Sequence, residues 1–276
     1  MLCQVKDFIE IMESIAPEYL AEPWDNIGLL IGSSKAPVKR VMITLDVTAD
    51  VINHAVETKC DLIISHHPVI FQPIKEVNDI TQTGSYILKL AEAGICVYSA
   101  HTNFDKAKGG VDDVLAKISG LNDIKPLIAD YGSDCTGTPG YCPSIGRIGR
   151  LEEKMTLKDY LKKVKKSLSA DTVDYIGDPL REIQLVASVA GAGGDFIKKA
   201  QEAGADLFIT GEAKYHETLQ VLDGNMALAV FGHGTTEIPA MMDLKRRLQK
   251  KIHELQWDID IVTSKMEGNY FRRIKE

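Results

Sequence analysis

Long apolar runs are missing from this 276-residue chain. No stretch approaches the ~20 residues that a membrane span needs. The opening segment, MLCQVKDFIEIMESI, reads as an acidic amphipathic helix and not as a signal peptide. Cysteine is sparse: Cys3, Cys60, Cys96, Cys135 and Cys142 are the five. The count is odd and no C-x-x-C occurs, which argues against a disulfide framework and for a reduced, cytoplasmic protein. Cys60 and Cys96 sit beside strand patterns and read as small core residues. Cys135 and Cys142 lie in a Gly/Pro-rich segment, where spacing alone is a weak signal for a pair or for metal ligands. An excess of positive charge is also missing. The net charge is −7, which argues against nucleic acid and acidic membrane as partners. The basic runs Lys158–Lys166 and Lys245–Lys251 have helical character and read as solvated faces. No H-E-x-x-H, G-x-x-x-x-G-K-[ST] or G-x-S-x-G is present.

What is present is a set of strand patterns ending in metal-competent side chains. Leu62–Ser65, in the run DLIISHHPVIF, reads as a short buried strand that delivers His66 and His67 into a loop closed by Pro68. Ile95–Ala100 ends at His101, followed by Asp105. Met226–Gly232 ends at His233, followed by Glu237. The carboxyl ends of strands are where open α/β sheets place ligands. Apolar spacing predicts helices over Val5–Ile15, Ala49–Thr58, Gly84–Ala93 and Asp112–Ile118, with Asp46 and Thr48 as capping residues and a strand over Val41–Leu45. Glu22–Gly32 reads as loop, then strand. Ile259, Ile261 and Val262 predict a final strand belonging to either half.

The second half echoes the first. A shift of 145 residues places Val41 on Val186, Asp50 on Asp195, Ala55 on Ala200, Asp61 on Asp206 and Ile64 on Ile209. The collinear order predicts an internal duplication. The expected fold is α/β: two pseudo-repeated units, residues 1–125 and 126–276, with mainly parallel sheets covered by helices and a metal site in the cleft between them. The Gly- and Pro-rich segment Leu121–Ile145 is the expected boundary. Gly191-Ala192-Gly193-Gly194 follows a strand pattern; it reads as a tight turn more than as an anion cradle.

Histidine is scarce, with seven in the chain, and His66, His67, His101 and His233 all lie just after strand patterns. A lone histidine there is usually a hydrogen-bonded loop residue. Four, two of them with a carboxylate at i+4, favour metal. Imidazole nitrogen with carboxylate oxygen suits Zn, Fe, Mn, Co or Ni. Adjacent histidines on extended backbone point opposite ways, so His66 and His67 are expected to address two ions, ~3.5–4 Å apart. His54 and His253 lie on predicted helices without a carboxylate pattern. His216 follows Gly211-Glu212, which fall on His66-His67 under the shift. The histidine pair is therefore not repeated, and one metal centre per chain, fed by both halves, is expected.

The runs W-D-N-x-G-L at Trp24–Leu29, S-H-H-P at Ser65–Pro68, H-T-N-x-D at His101–Asp105 and G-H-x-x-x-E at Gly232–Glu237 resemble the GTP cyclohydrolase I type 2 family, also called NIF-three-like. The motifs span most of the chain. The resemblance implies a two-part α/β subunit, two divalent ions per subunit and a ring-shaped homohexamer. Carried over by position, the metal ligands are His66, His67, Asp105, His233 and Glu237. His101 matches a family histidine close to the metals, as ligand or proton carrier, and is the candidate catalytic residue.

Two divalent ions favour hydrolysis, because they acidify water and polarise an electrophilic carbon or phosphorus. The family name points to opening of the GTP imidazole ring with release of formate. No triphosphate cradle is recognisable here, so a phosphoester or another nucleotide-like heterocycle is an equal alternative as substrate. A non-enzymatic metal-handling or partner-binding protein is the reading from another class.

Overall fold

The apolar runs that end in histidine are buried strands, fully so at Leu62–Ser65 and Cys96–Ser99 and down to a half-buried Val230 in the third. The computed structural model describes residues 3–128, 143–222, 224–266 and 270; Cys135 and Cys142 lie outside them. The chain divides into two compact units, Met1–Phe104 with Met241–Met266, and a second built on Asp105–Ala240. The first bound falls before the expected 125, because Val111–Ile118 and Asn122–Pro126 belong to the second unit, and the C-terminal strand, which the sequence left to either half, joins the first sheet.

The first unit holds β1 (Gly28–Ile31), β2 (Arg40–Thr44), β3 (Leu62–Ser65) and β4 (Cys96–Ser99), with β11 (Asp260–Thr263). The sheet order is β1-β4-β3-β2-β11. β11, β2, β3 and β4 run parallel, and β1 is an antiparallel edge. The helices are α1 (Val5–Ile15), α2 (Ala49–Glu57), α3 (Gln82–Glu92) and the short α4 (Thr102–Lys106), which ends past the unit's limit. On one sheet face Met42, Ile63 and Val97 pack with Val51, Ile52 and Ala55 of α2 and Leu90 of α3. α1 buries Val5, Phe8, Ile11 and Met12, with Ile9 and Ile15 half-buried. Thr48 caps α2 by accepting from the Val51 amide. Asp46, expected to cap beside it, is used elsewhere. Cys60 and Cys96 are buried, as expected of core residues.

The second unit holds β5 (Asn122–Pro126), β6 (Arg147–Thr156), β7 (Asp174–Ile176), β8 (Glu182–Ala192), β9 (Leu207–Glu212) and β10 (Ala227–Val230). Its order is β5-β6-β8-β9-β10-β7. Ala187, Val189, Phe208 and Leu228 pack on one face with Ile197 and Ala200 of α7 (Ile197–Glu202). Val186, Leu207 and Ala229 pack on the other with Leu115 of α5 (Val111–Ile118) and Tyr160 and Val164 of α6 (Leu157–Ser167). The helix α8 (Tyr215–Thr218) follows β9, and α9 (His233–Glu254) follows β10. Only β8, β9 and β10 are parallel; β5, β6 and β7 pair antiparallel, so this sheet is mixed. β5 lies inside the segment expected to be a linker.

The duplication is visible within each unit. The order β1-β4-β3-β2 recurs as β7-β10-β9-β8, each with an antiparallel edge strand beside the last parallel one. The Asp61 carboxylate accepts the Lys39 and Arg40 amides, at 2.7 and 2.9 Å. The Asp206 carboxylate accepts the Gln184 and Leu185 amides, at 2.9 and 2.8 Å. These are the same three positions moved by 145 residues. In both units an aspartate at the foot of one strand fastens the start of its neighbour, which sets the parallel register and so the strand ends where the histidines stand.

Candidate metal centre

β3 ends at Ser65, and the backbone leaves the sheet through His66 and His67. The Ser65 hydroxyl donates to the His67 carbonyl at 2.9 Å, folding the chain over at that point. Adjacent side chains alternate only while the backbone stays extended. Here they do not: the His66 and His67 rings lie 5.0 Å apart. The His101 ring, at the end of β4, lies 5.2 Å from His66 and 5.6 Å from His67. One ring nitrogen from each of the three falls within 4.8 Å of the others. The two adjacent rings therefore do not point opposite ways: both enter one cluster.

Each of these imidazoles is held by Nδ1. His66 Nδ1 is 2.9 Å from the Ala100 carbonyl oxygen, which can only accept. His67 Nδ1 is 2.7 Å from Asp46 Oδ1, and His101 Nδ1 is 2.9 Å from Asp25 Oδ1. A carboxylate or carbonyl on Nδ1 fixes the proton there and leaves the Nε2 lone pair outward. That is the arrangement metal-binding histidines adopt. Asp25 is the most elaborate of the three supports. Its side chain is fully out of solvent, and Oδ2 accepts the Thr102 amide at 3.0 Å and the Thr102 hydroxyl at 2.6 Å. Burial pushes its carboxyl pKa up, but the hydrogen bonds from His101 and Thr102 and the charge of His101 outweigh it and bring the pKa down to about 2.

In the second unit β10 delivers His233 to the start of α9, and Glu237 follows one turn later. Their side chains meet, with His233 Nε2 3.1 Å from Glu237 Oε1. Glu237 is buried. Thr236 holds this first turn against β8: its hydroxyl accepts the Gly191 amide at 2.9 Å and donates to the His233 carbonyl at 2.7 Å. Gly191 has φ +60°, and a Cβ there would stand 2.3 Å from Glu237 Oε1. The small residue thus makes room for a carboxylate, and it does so inside β8, where the pairing with β9 shifts register, not in the expected tight turn. Glu212 ends β9, and its Oε1 is 3.4 Å from His233 Nδ1. Under the shift Glu212 falls on His67, so the repeated position keeps a metal-competent side chain of a different kind.

Three imidazoles presenting Nε2, and a glutamate accommodated by a glycine, fit divalent cations. Asp105 lies on α4, one turn past His101 and half-buried. It is not among the described residues whose donor atoms lie within 4.8 Å of two others. His54, on α2, and His253, on α9, also stand outside every such group.

The profile described as Duf34/NIF3 (NGG1p interacting factor 3) matches residues 3–269. The chain belongs to the Duf34/NIF3 family. A Clostridium acetobutylicum protein named GTP cyclohydrolase 1 type 2 homolog is 36% identical over 264 residues, 96% of each chain. One of the same name from Clostridium perfringens is 34% identical over 271 residues, 98% of this chain and all of the relative. The crystal structure of a Bacillus cereus protein related to NIF3 has TM-score 0.89 at 25% identity, covering 99% of this chain and 100% of that one. The Duf34/NIF3 fold therefore extends over the whole chain, as the motif resemblance implied. Among the described residues, no helix is long and apolar enough to cross a membrane.

Three residues of the site were missed in the sequence. Asp46 reads as a helix cap, Asp25 is hidden inside W-D-N, and Glu212 appears only as the partner of His67 in the repeat. The repeat pointed at Glu212, and the W-D-N run contained Asp25 without marking its role.

Proposed function

We propose that this Duf34/NIF3 protein is a dinuclear divalent-metal hydrolase. The observation that carries the reading is the trio His66, His67 and His101, each anchored through Nδ1 and each with a ring nitrogen within 4.8 Å of the others. His66, His67, Asp105, His233 and Glu237 are the ligands in this reading, serving one centre per chain. Divalent ions held there supply Lewis-acid activation of water and of an electrophilic carbon or phosphorus. The chain's own part is to orient. Ala100, Asp46 and Asp25 hold the rings, and Glu237 supplies negative charge from a buried position. His101 is the proton carrier: Asp25 keeps its Nδ1 protonated and stabilises the imidazolium formed when Nε2 takes a proton.

The relatives' name, GTP cyclohydrolase 1 type 2 homolog, supports a nucleotide substrate, with opening of the GTP imidazole ring and formate release as the leading reaction. The motif resemblance further supports a homohexameric ring, and the odd, sparse cysteines support a cytoplasmic place.

Metal-reconstituted protein is expected to hold two ions of Zn, Mn or Fe per chain and to turn over GTP or another member of a nucleotide and phosphoester panel. Turnover should disappear on chelation and return with metal. Stoichiometric metal with no turnover across the panel would leave a metal-handling protein instead. Less than one ion per chain after reconstitution would overturn the centre itself. Light scattering is expected to give a multiple of the 30.4 kDa chain mass, six chains for the ring; a monomer at micromolar concentration would refute it.

A further inference from the structure

The W-D-N run at Trp24–Asn26 has two side chains turned to internal work and one turned out. Asp25 holds His101 and Thr102. The Asn26 amide donates to the Ile70 carbonyl, which ties the loop to the segment just before Phe71. The Glu22 amide donates to the Thr102 hydroxyl at 2.9 Å, fastening the loop's start. Trp24 sits between these fastenings with 61% of its surface exposed, and Phe71 has 44% exposed. The two rings meet nearly edge to face, centroids 6.0 Å apart at 72°. Both also touch His101, at 6.4 Å from Trp24 and 6.2 Å from Phe71.

A scattered exposed aromatic needs no explanation. Two of them, locked by hydrogen bonds of their own loop and set against a histidine of the metal-competent trio, are a different matter. Held in place before any ligand arrives, they lose little conformational freedom when one stacks on them. Their chemistry selects a flat π-face: aromatic side chains stack on any nucleobase and offer a bare sugar phosphate nothing comparable. The indole lies one ring's breadth from His101, so a heterocycle lying on it ends beside the imidazoles.

We propose that Trp24 and Phe71 are specificity residues that stack the planar nitrogen heterocycle of the substrate beside the histidine trio. The proposal rests on the hydrolase reading above and narrows it, because it disfavours simple phosphoesters.

Trp24 and Trp257 are the two tryptophans of the chain. Trp257 packs on Phe8, centroids 5.9 Å apart, so Trp257→Phe leaves Trp24 as sole reporter. Titrating that variant, metal-loaded, with guanosine and adenosine monophosphates should quench Trp24 emission saturably. Ribose 5-phosphate, which has the phosphate and lacks the ring, should not. By calorimetry on the otherwise native chain, Trp24→Ala and Phe71→Ala should weaken nucleotide binding about 5- to 100-fold. Trp24→Phe should restore most of it, and metal stoichiometry should stay at the native value in all three. Equal quenching by ribose 5-phosphate, or native nucleotide affinity in Trp24→Ala, would overturn the proposal. So would a Trp24 emission shift on raising protein concentration without ligand, since the rings would then cover a second copy. Metal content tells the two readings apart: full metal without ring-dependent quenching sinks the stacking role alone, and ring-dependent quenching without metal sinks the hydrolase reading alone.

Discussion

Glu237→Gln is expected to weaken both ions together, by about 100-fold or more, while the protein stays folded. Loss of a group that merely supports a ligand costs ~10–100-fold in metal affinity, and a carboxylate shared by two ions neutralises charge for both. Glu237 is buried, Gly191 leaves its carboxylate room, and Thr236 pins the helix turn that carries it. The amide keeps the shape and removes the charge, so these packing contacts survive. Asp105→Asn should weaken chiefly one ion. If Glu237 only secured the helix start, replacement would cost ~0.5–2 kcal/mol of stability and leave metal content intact. Calorimetric titration of both variants decides it: two ions at native affinity in Glu237→Gln would end the bridging role. The apo protein should lose less stability than the holo protein, because bound metal stabilises only the state that binds it.

Arg147→Met is expected to cost about 3–5 kcal/mol, because it strands buried charge. Arg147 is fully buried. Its guanidinium pairs with Asp113 and donates to the Ser144 and Gly146 carbonyls, at 2.7 and 2.9 Å. Next to this pair, Asp112 accepts the Gly146 amide at 2.6 Å and the Ala190 amide at 2.9 Å. Burial raises the Asp112 pKa to about 6 against the pull of Arg147 and of these amides. A raised carboxyl pKa means that the folded state holds its proton more tightly than the unfolded chain. The stability this group gives is full below its unfolded pKa of ~3.9 and is lost as pH rises through about 6. Without Arg147 the pKa climbs further, so the variant's deficit should be larger at pH 8 than at pH 5. Urea midpoints at the two pH values measure this. Equal deficits would mean that the cost is lost packing and not stranded charge. Adding Asp113→Asn should recover part of the loss.

Much of the first unit was readable because its strands are short, apolar and end at a turn. Leu62–Ser65 is found at its predicted bounds, and the patterns at Val41–Leu45 and Ile95–Ala100 contain or adjoin β2 and β4 to within a residue. β6 was not readable: RIGRLEEKMT carries five charged residues, and only its alternating burial near the start betrays a sheet. The candidate ligands were legible because histidine after a strand is conspicuous. Their supports were not. Asp46 meets His67 across 21 positions and Asp25 meets His101 across 76. Such pairings come from strand order and loop closure, which a linear pattern does not encode.

The strand β11 has a consequence for how the chain is made. Residues 260–263 pair with Arg40–Ile43, and Ser264 bonds Thr44 at 2.7 Å. The ribosome therefore releases the last piece of the first sheet after the whole of Asp105–Ala240 has been synthesised. The N-terminal unit, made first, is finished last, the reverse of the usual order for multidomain chains. Until then β2 offers an unpaired edge, the kind of surface to which foreign strands add. A chain cut short before residue 260 would keep every histidine of the trio and still carry that open edge.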